Sequence, residues 1–203
     1  MVNSQHALLT RQLGIQHLHA VVGISMGGMQ TFEWITAYPD FMDRAVPIVG
    51  SPRLAAPDLL LWNAQLGVLE LAGADQRAAM RAVVSMHQFA MQTPEFRAAA
   101  TPPGEWEKYK QSFEAGAGER VTAEDWASQL RAMMATNAGP PESVKAKLLV
   151  VAATQDHMVN PSPAIAFAER IFAPVLRLDG NCGHLAIGCE AAKLMPVVRR
   201  FLE

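Results

Sequence analysis

Ser25 stands in Gly23-Ile24-Ser25-Met26-Gly27, with a short apolar run before it and a helical pattern after it. That context is the signature of a sharp strand-to-helix turn that presents a serine hydroxyl as a nucleophile. The five-residue pattern recurs by chance in glycine-rich turns, so its place directly between a strand and a helix carries the reading. Such a turn strains the serine backbone, and the glycines on either side are expected to be required where strand and helix approach closely. The amide of Met26, at the helix start, is expected to point at a developing oxyanion. A serine hydroxyl is a poor nucleophile at neutral pH. A histidine must take its proton, and a carboxylate must orient that histidine.

In a chain of this kind the acid follows a later strand and the base follows the last one. Asp156 lies three residues beyond the strand-like run that ends at Ala153, and His184 closes the loop Asp179-Gly180-Asn181-Cys182-Gly183-His184. These two are the expected acid and base. Asp179 is the weaker choice of acid, being only five residues from His184. His157 adjoins Asp156 and is badly placed to bridge it to the serine. His17 and His19 precede the elbow strand, at its opposite end. His87 falls in an amphipathic helix, where a satisfied or solvent-facing histidine is the ordinary outcome. Trp62, Trp106, Trp126 and the nearby methionines read as core, with some lining an acyl pocket. No metal-ligand cluster and no dinucleotide fingerprint is present, so neither a metal nor a resident cofactor is expected. No particular substrate-binding residue is legible.

Positioning these groups takes an alternating α/β order. Ser4 is expected to cap a helix through Leu13 that Gly14 stops. A strand follows from Leu18 to Ile24, then a helix from about Met29 to Ala37 and a strand from Arg44 to Gly50. Pro47 fits there near the strand start or at a non-donating position. Residues 51–141 carry helical spacing interrupted by Pro and Gly, including an acidic capping box at Thr122 and Asp125. Strand texture returns from Ala146 to Ala153 and from Val175 to Leu178, with helices from about Pro163 to Ile171 and Ala191 to Leu202. The implied organisation is an elbow-bearing core (1–50), a helical cap insertion (51–141) and the remainder of the core (142–203). Its parallel sheet carries helices on both faces.

The 203 residues, half of them hydrophobic and 18% charged, suffice for one folded domain with a substantial core. A net charge of −2 gives no reason to expect nucleic acid as a partner. Neither a signal peptide nor a membrane-spanning run is evident, so a cytoplasmic location is expected. Cys182 and Cys189 are read as reduced packing residues, although their spacing permits a bridge.

The string Gly23-Ile24-Ser25-Met26-Gly27-Gly28-Met29-Gln30, with Glu33-Trp34 and Tyr38-Pro39-Asp40 behind it, resembles the elbow and following helix of the homoserine O-acetyltransferase group. That group belongs to the α/β-hydrolase superfamily, and the likeness runs on to Asp156 and Gly183-His184. It implies an acyl-Ser25 intermediate, with His184 as base and then acid and Asp156 orienting it. In that group an aspartate typically follows the histidine and helps recognise an amino-acid acceptor. Leu185 stands there instead and cannot bind an ammonium group. Hydrolysis of a carboxylic ester is therefore the leading expectation. Transfer of an acetyl group from acetyl-CoA, as an acyl-donor substrate, to homoserine or another alcohol is the alternative, and a non-catalytic fragment is the second. The resemblance also implies strands ahead of the elbow that would cover its apolar edge and supply a second oxyanion donor. The 203-residue chain alone is expected to be weak or inactive. A small-molecule ester or thioester is the expected partner, without nucleic acid or membrane, and a homodimer is compatible with the sequence.

Overall fold

A computed structural model describes residues 1–73, 75–119 and 121–203. The strands are β1 (Leu18–Ile24), β2 (Met42–Ile48), β3 (Lys147–Leu148), β4 (Val150–Ala153) and β5 (Val175–Leu178). All pair in parallel, in the spatial order β1-β2-β4-β5 with β3 also on β2. β4 is buried at every position, which explains its unbroken run of Val and Ala, and β2 is buried from Ala45 to Ile48. β1 lies at the sheet edge, where Val22 and Ile24 are 47% and 51% exposed. Pro47 comes near the end of β2 rather than its start, opposite Gly23. The ladder there runs through the Ser25 amide to the Ile48 carbonyl at 2.8 Å and the Val49 amide to the Val151 carbonyl at 2.9 Å.

Helices cover both sheet faces. On one side α1 (Val2–Ala7), α2 (Met26–Ala37) and α8 (Ser162–Arg170) pack through Val2, Phe32, Ile35 and Phe167. On the other, Val46, Ile48, Val151 and Leu178 meet Ala186 of α9 (Ala186–Cys189) and Leu194 of α10 (Ala191–Leu202). Two helix starts differ from the sequence reading. α1 begins at Val2, with Ser4 inside it, because burial of Val2 against the core fastens the first turn without a side-chain cap. A π-helical stretch, Leu8–Gln12, continues it before Gly14 turns the chain at φ +67°. α2 begins at Met26, immediately after the serine, because Ser25 alone makes the turn.

Residues between β2 and β3 form α3 (Ala56–Leu71), α4 (Gln76–Met91), α5 (Pro94–Ala100), α6 (Trp106–Glu114) and α7 (Ala123–Met134). Thr122 and Asp125 make the expected reciprocal cap, with the Asp125 amide donating to Thr122 Oγ1 at 3.1 Å. The two ends of this segment lie side by side, joined by the Ala138 amide to the Pro52 carbonyl at 2.8 Å and an Arg53–Asn137 bridge. Among the described residues, no helix is long and apolar enough to cross a membrane.

Candidate active site

The parallel strands all end on the same side of the sheet, and three of those ends carry the candidate residues. After β1, Ser25 adopts φ +56° and ψ −116°, a conformation a non-glycine residue rarely takes. Gly23 permits it, because a Cβ there would lie 2.0 Å from the Gly27 carbonyl oxygen. Gly27 itself has open space around its Cβ position, contrary to the expectation that both flanking glycines are required. The second close approach falls at Gly28, whose Cβ would come within 2.9 Å of the Ile48 carbonyl and 3.0 Å of Gly50 Cα. The helix turn past Ser25 points Gly28, not Gly27, at the end of β2.

Asp156, after β4, is buried, and its Oδ1 accepts the amides of Met158 at 2.8 Å and Val159 at 2.9 Å. Its Oδ2 lies 2.6 Å from His184 Nδ1, and His184 Nε2 lies 2.9 Å from Ser25 Oγ. A proton on Nδ1 donating to the carboxylate leaves Nε2 with a lone pair facing the hydroxyl. The three residues expected from sequence thus form one hydrogen-bonded chain. Met26 occupies the first helical position, where its amide has no intrahelical acceptor.

His184 sits in the turn Gly183–Leu185 after β5, packed against α4. Thr93 Oγ1 donates to the Asn181 carbonyl at 2.6 Å, and Gly183, at φ +61°, touches the end of α4. A Cβ on Gly183 would fall 2.9 Å from Gln92 Cα and 3.0 Å from the Met91 carbonyl. Gly183→Ala is therefore expected to destabilise the fold by about 2–4 kcal/mol through backbone strain and contact with a backbone that cannot yield. Denaturant unfolding measures this, and ester turnover of the remaining folded protein should fall at least about tenfold as His184 is displaced.

Cys182 and Cys189 are joined by a disulfide, contrary to the reduced state expected. The intervening turn and α9 fold the chain back so that the two Cα atoms stand 6.5 Å apart, within bridging range. Asp58 is a residue that sequence reasoning missed. It is buried, and it accepts the Ala55 amide at the start of α3 and the Asn160 amide, both at 2.9 Å, tying α3 to the loop that bears Asp156. Burial holds its carboxyl above the usual range. The reach back to Ala55 from the third helical position is the capping signal that could have found it.

The remaining candidates stand apart. His157 and Asp179 are exposed, the latter paired with Lys193 at 3.5 Å. His17 pairs with Asp43, and His19 Nε2 lies 2.6 Å from the Leu202 carbonyl, at the far end of β1. Trp62 is core, but Trp106 is 51% exposed, against expectation, because α6 lies at the surface and buries none of its residues.

Beside α3, α4 and α7, Ser25 and His184 open on a cavity of about 390 Å³ lined by Trp62, Met91, Trp126, Met133, Met158 and Leu185 among others. His87 of α4 also lines it, and its Nδ1 is buried with no partner among the described residues, which corrects the satisfied or solvent-facing reading. Burial, with a smaller electrostatic contribution from His184, lowers its pKa to about 4. Between the ordinary 6.5 and about 4 the unfolded chain binds a proton that the folded chain refuses. That stability is present above pH 6.5 and is lost as pH falls toward 4, by as much as about 3 kcal/mol. Unfolding at pH 7 and pH 4 should show His87→Phe losing correspondingly less on acidification.

A family model described as alpha/beta hydrolase fold matches residues 1–188. Over 59 residues the chain is 51% identical to an ethyl acetate hydrolase of Pseudomonas veronii, a match covering 29% of this chain and 17% of that protein. Over 51 residues it is 57% identical to a homoserine O-acetyltransferase of Haloarcula marismortui, covering 25% of this chain and 12% of the other. The solved structure of esterase E22 superposes over 100% of the chain with a TM-score of 0.87 at 22% identity. The chain spans 65% of that esterase's length. The chain belongs to the α/β-hydrolase fold family.

Proposed function

We propose that the protein is a serine acyl-transfer enzyme whose principal reaction is hydrolysis of a small carboxylic ester. The observation that carries this reading is the Asp156–His184–Ser25 hydrogen-bonded chain, with contacts of 2.6 and 2.9 Å, opening on an apolar cavity. Ser25 Oγ attacks the ester carbonyl carbon as His184 Nε2 takes its proton, and Asp156 stabilises the resulting imidazolium. The negative charge on the carbonyl oxygen develops toward the Met26 amide. Collapse breaks the ester C–O bond, with the proton on Nε2 passing to the departing alcohol. Water then repeats the sequence on acyl-Ser25 and releases the acid and the free serine.

Water is favoured over an amino-acid acceptor because Leu185 lines the cavity and no carboxylate lines it among the described residues. An acceptor ammonium would enter without a counter-charge. Transfer to an alcohol is the second reading, supported by the stretch shared with a homoserine O-acetyltransferase. Acetyl-CoA would then be a substrate, and neither reading needs a resident cofactor.

Product analysis separates the two. Ethyl acetate should give acetate and ethanol, and acetyl-CoA with homoserine should give acetate without O-acetylhomoserine. Accumulation of the acetylated amino acid as the major product would reverse the order of the readings. Leu185→Asp supplies the missing counter-charge and should raise the ratio of transfer to hydrolysis at least about tenfold, the effect of one hydrogen bond to a charged group.

A further inference from the structure

The cavity over Ser25 is apolar apart from a few groups, and one of those has no task in the acyl-transfer chemistry. His87 lines it from α4, and Trp126 stands edge-on to its ring with centroids 5.1 Å apart. The Trp126 indole N–H is committed to Gln65 Oε1 at 3.0 Å, so it offers His87 nothing. Neither imidazole nitrogen has a hydrogen-bond partner among the described residues, and of the two only Nδ1 is sealed from solvent. An apolar side chain would fill this place without leaving polar atoms unpaired. A sealed lone pair is cheaper than a sealed N–H, which favours the tautomer with the proton on Nε2, the nitrogen left open. The lowered pKa keeps the ring neutral at working pH. It therefore suits an uncharged oxygen. No Asp, Glu, Lys or Arg lines the cavity among the described residues.

We propose that His87 is a specificity-determining residue that hydrogen-bonds a hydroxyl group carried by the substrate, so that hydroxyl-bearing esters are preferred over alkyl esters of the same shape. The inference rests on the acyl-transfer reading and gives that site its substrate class. A hydroxyl fits because it can accept from Nε2–H and can also donate to the other tautomer. An alkyl group in the same place seals the imidazole without a partner, and an imidazole left unpaired penalises the wrong substrate more than an apolar wall would.

The test uses two isosteric pairs. Propyl acetate against 2-hydroxyethyl acetate places the hydroxyl on the alcohol side, and ethyl butanoate against ethyl 3-hydroxypropanoate places it on the acyl side. The pair that shows the preference identifies the side His87 serves. In that pair the native enzyme should favour the hydroxy ester in kcat/KM by about tenfold. His87→Leu should lower the hydroxy ester's kcat/KM and raise the alkyl ester's, reversing the order, while His87→Gln should restore part of the preference. A merely structural histidine would lower both esters together. Parallel losses, or a ratio near one in both pairs for the native enzyme, overturn the proposal. Ligand-observed NMR on Ser25→Ala, with and without His87→Leu, reads the same preference as binding of the intact esters. If no ester is turned over but the hydroxy ester binds more tightly and loses that advantage in His87→Leu, the acyl-transfer reading fails and the His87 assignment stands. Equal binding of both members in both pairs overturns the assignment.

Discussion

Ser25→Ala is expected to lower ester turnover at least about ten-thousandfold and to abolish covalent labelling by a serine-directed phosphonate. The hydroxyl removed is the one that His184 Nε2 faces at 2.9 Å, and no other side chain stands in its place between β1 and α2. The loss should come without unfolding. Alanine keeps the strained φ of +56° that the serine already bears, so Ser25→Ala should unfold at nearly the native denaturant midpoint. Ser25→Gly should lose activity equally yet be more stable than Ser25→Ala by about 1 kcal/mol, because glycine takes positive φ without steric cost. Intact mass gives a direct reading of the nucleophile. The native chain should gain one phosphonate adduct, mapped to Ser25, and Ser25→Ala should gain none. A native chain that stays unlabelled would favour the non-catalytic reading, and turnover that survives Ser25→Ala would remove the serine mechanism altogether.

That Ser25, His184 and Asp156 come together was legible in the sequence because they sit at strand ends, and strand ends follow from local apolar runs. β1 and β5 have the bounds their residue patterns imply, and Asp156 and His184 follow from counting past β4 and β5. What was not legible depends on which face of an element meets which neighbour. Whether Gly27 or Gly28 abuts β2 is a matter of how α2 is rotated on the sheet, and a one-residue change of phase decides it. His87 lies on an amphipathic helix, and its burial results from α4 packing beside α3 and against Trp126 of α7, the latter a contact between segments distant in sequence. The Cys182–Cys189 bridge depends on the path of the short helical turns between the thiols, which spacing alone leaves undetermined. Leu185 was singled out as a departure from the acetyltransferase pattern, and its place in the cavity wall is what gives that departure chemical force.

Asp156→Asn should lower kcat by about a thousandfold or more while leaving the fold nearly intact, and the reason lies in the direction of one proton. The asparagine side-chain oxygen can still accept the Met158 and Val159 amides at 2.8 and 2.9 Å, so the loop keeps its shape. Its NH₂ group then occupies the position 2.6 Å from His184 Nδ1 and can only donate. Nδ1 must accept, which moves the ring proton to Nε2, and Nε2–H cannot receive the proton of Ser25. The variant thus keeps geometry and loses the productive tautomer, an effect worth about 10⁴ in kcat where the same substitution has been made in a serine protease. Asp156→Ala makes the contrast. It leaves two buried amides unpaired and should cost about 2 kcal/mol of stability in addition to activity. Asp179→Asn is the control for the competing acid, and because Asp179 is exposed and paired with Lys193 its kcat should remain within about twofold of native. Rates of ester hydrolysis together with denaturant midpoints for the three variants decide the matter. An Asp156→Asn enzyme that retained more than a tenth of native kcat would place the orienting acid elsewhere.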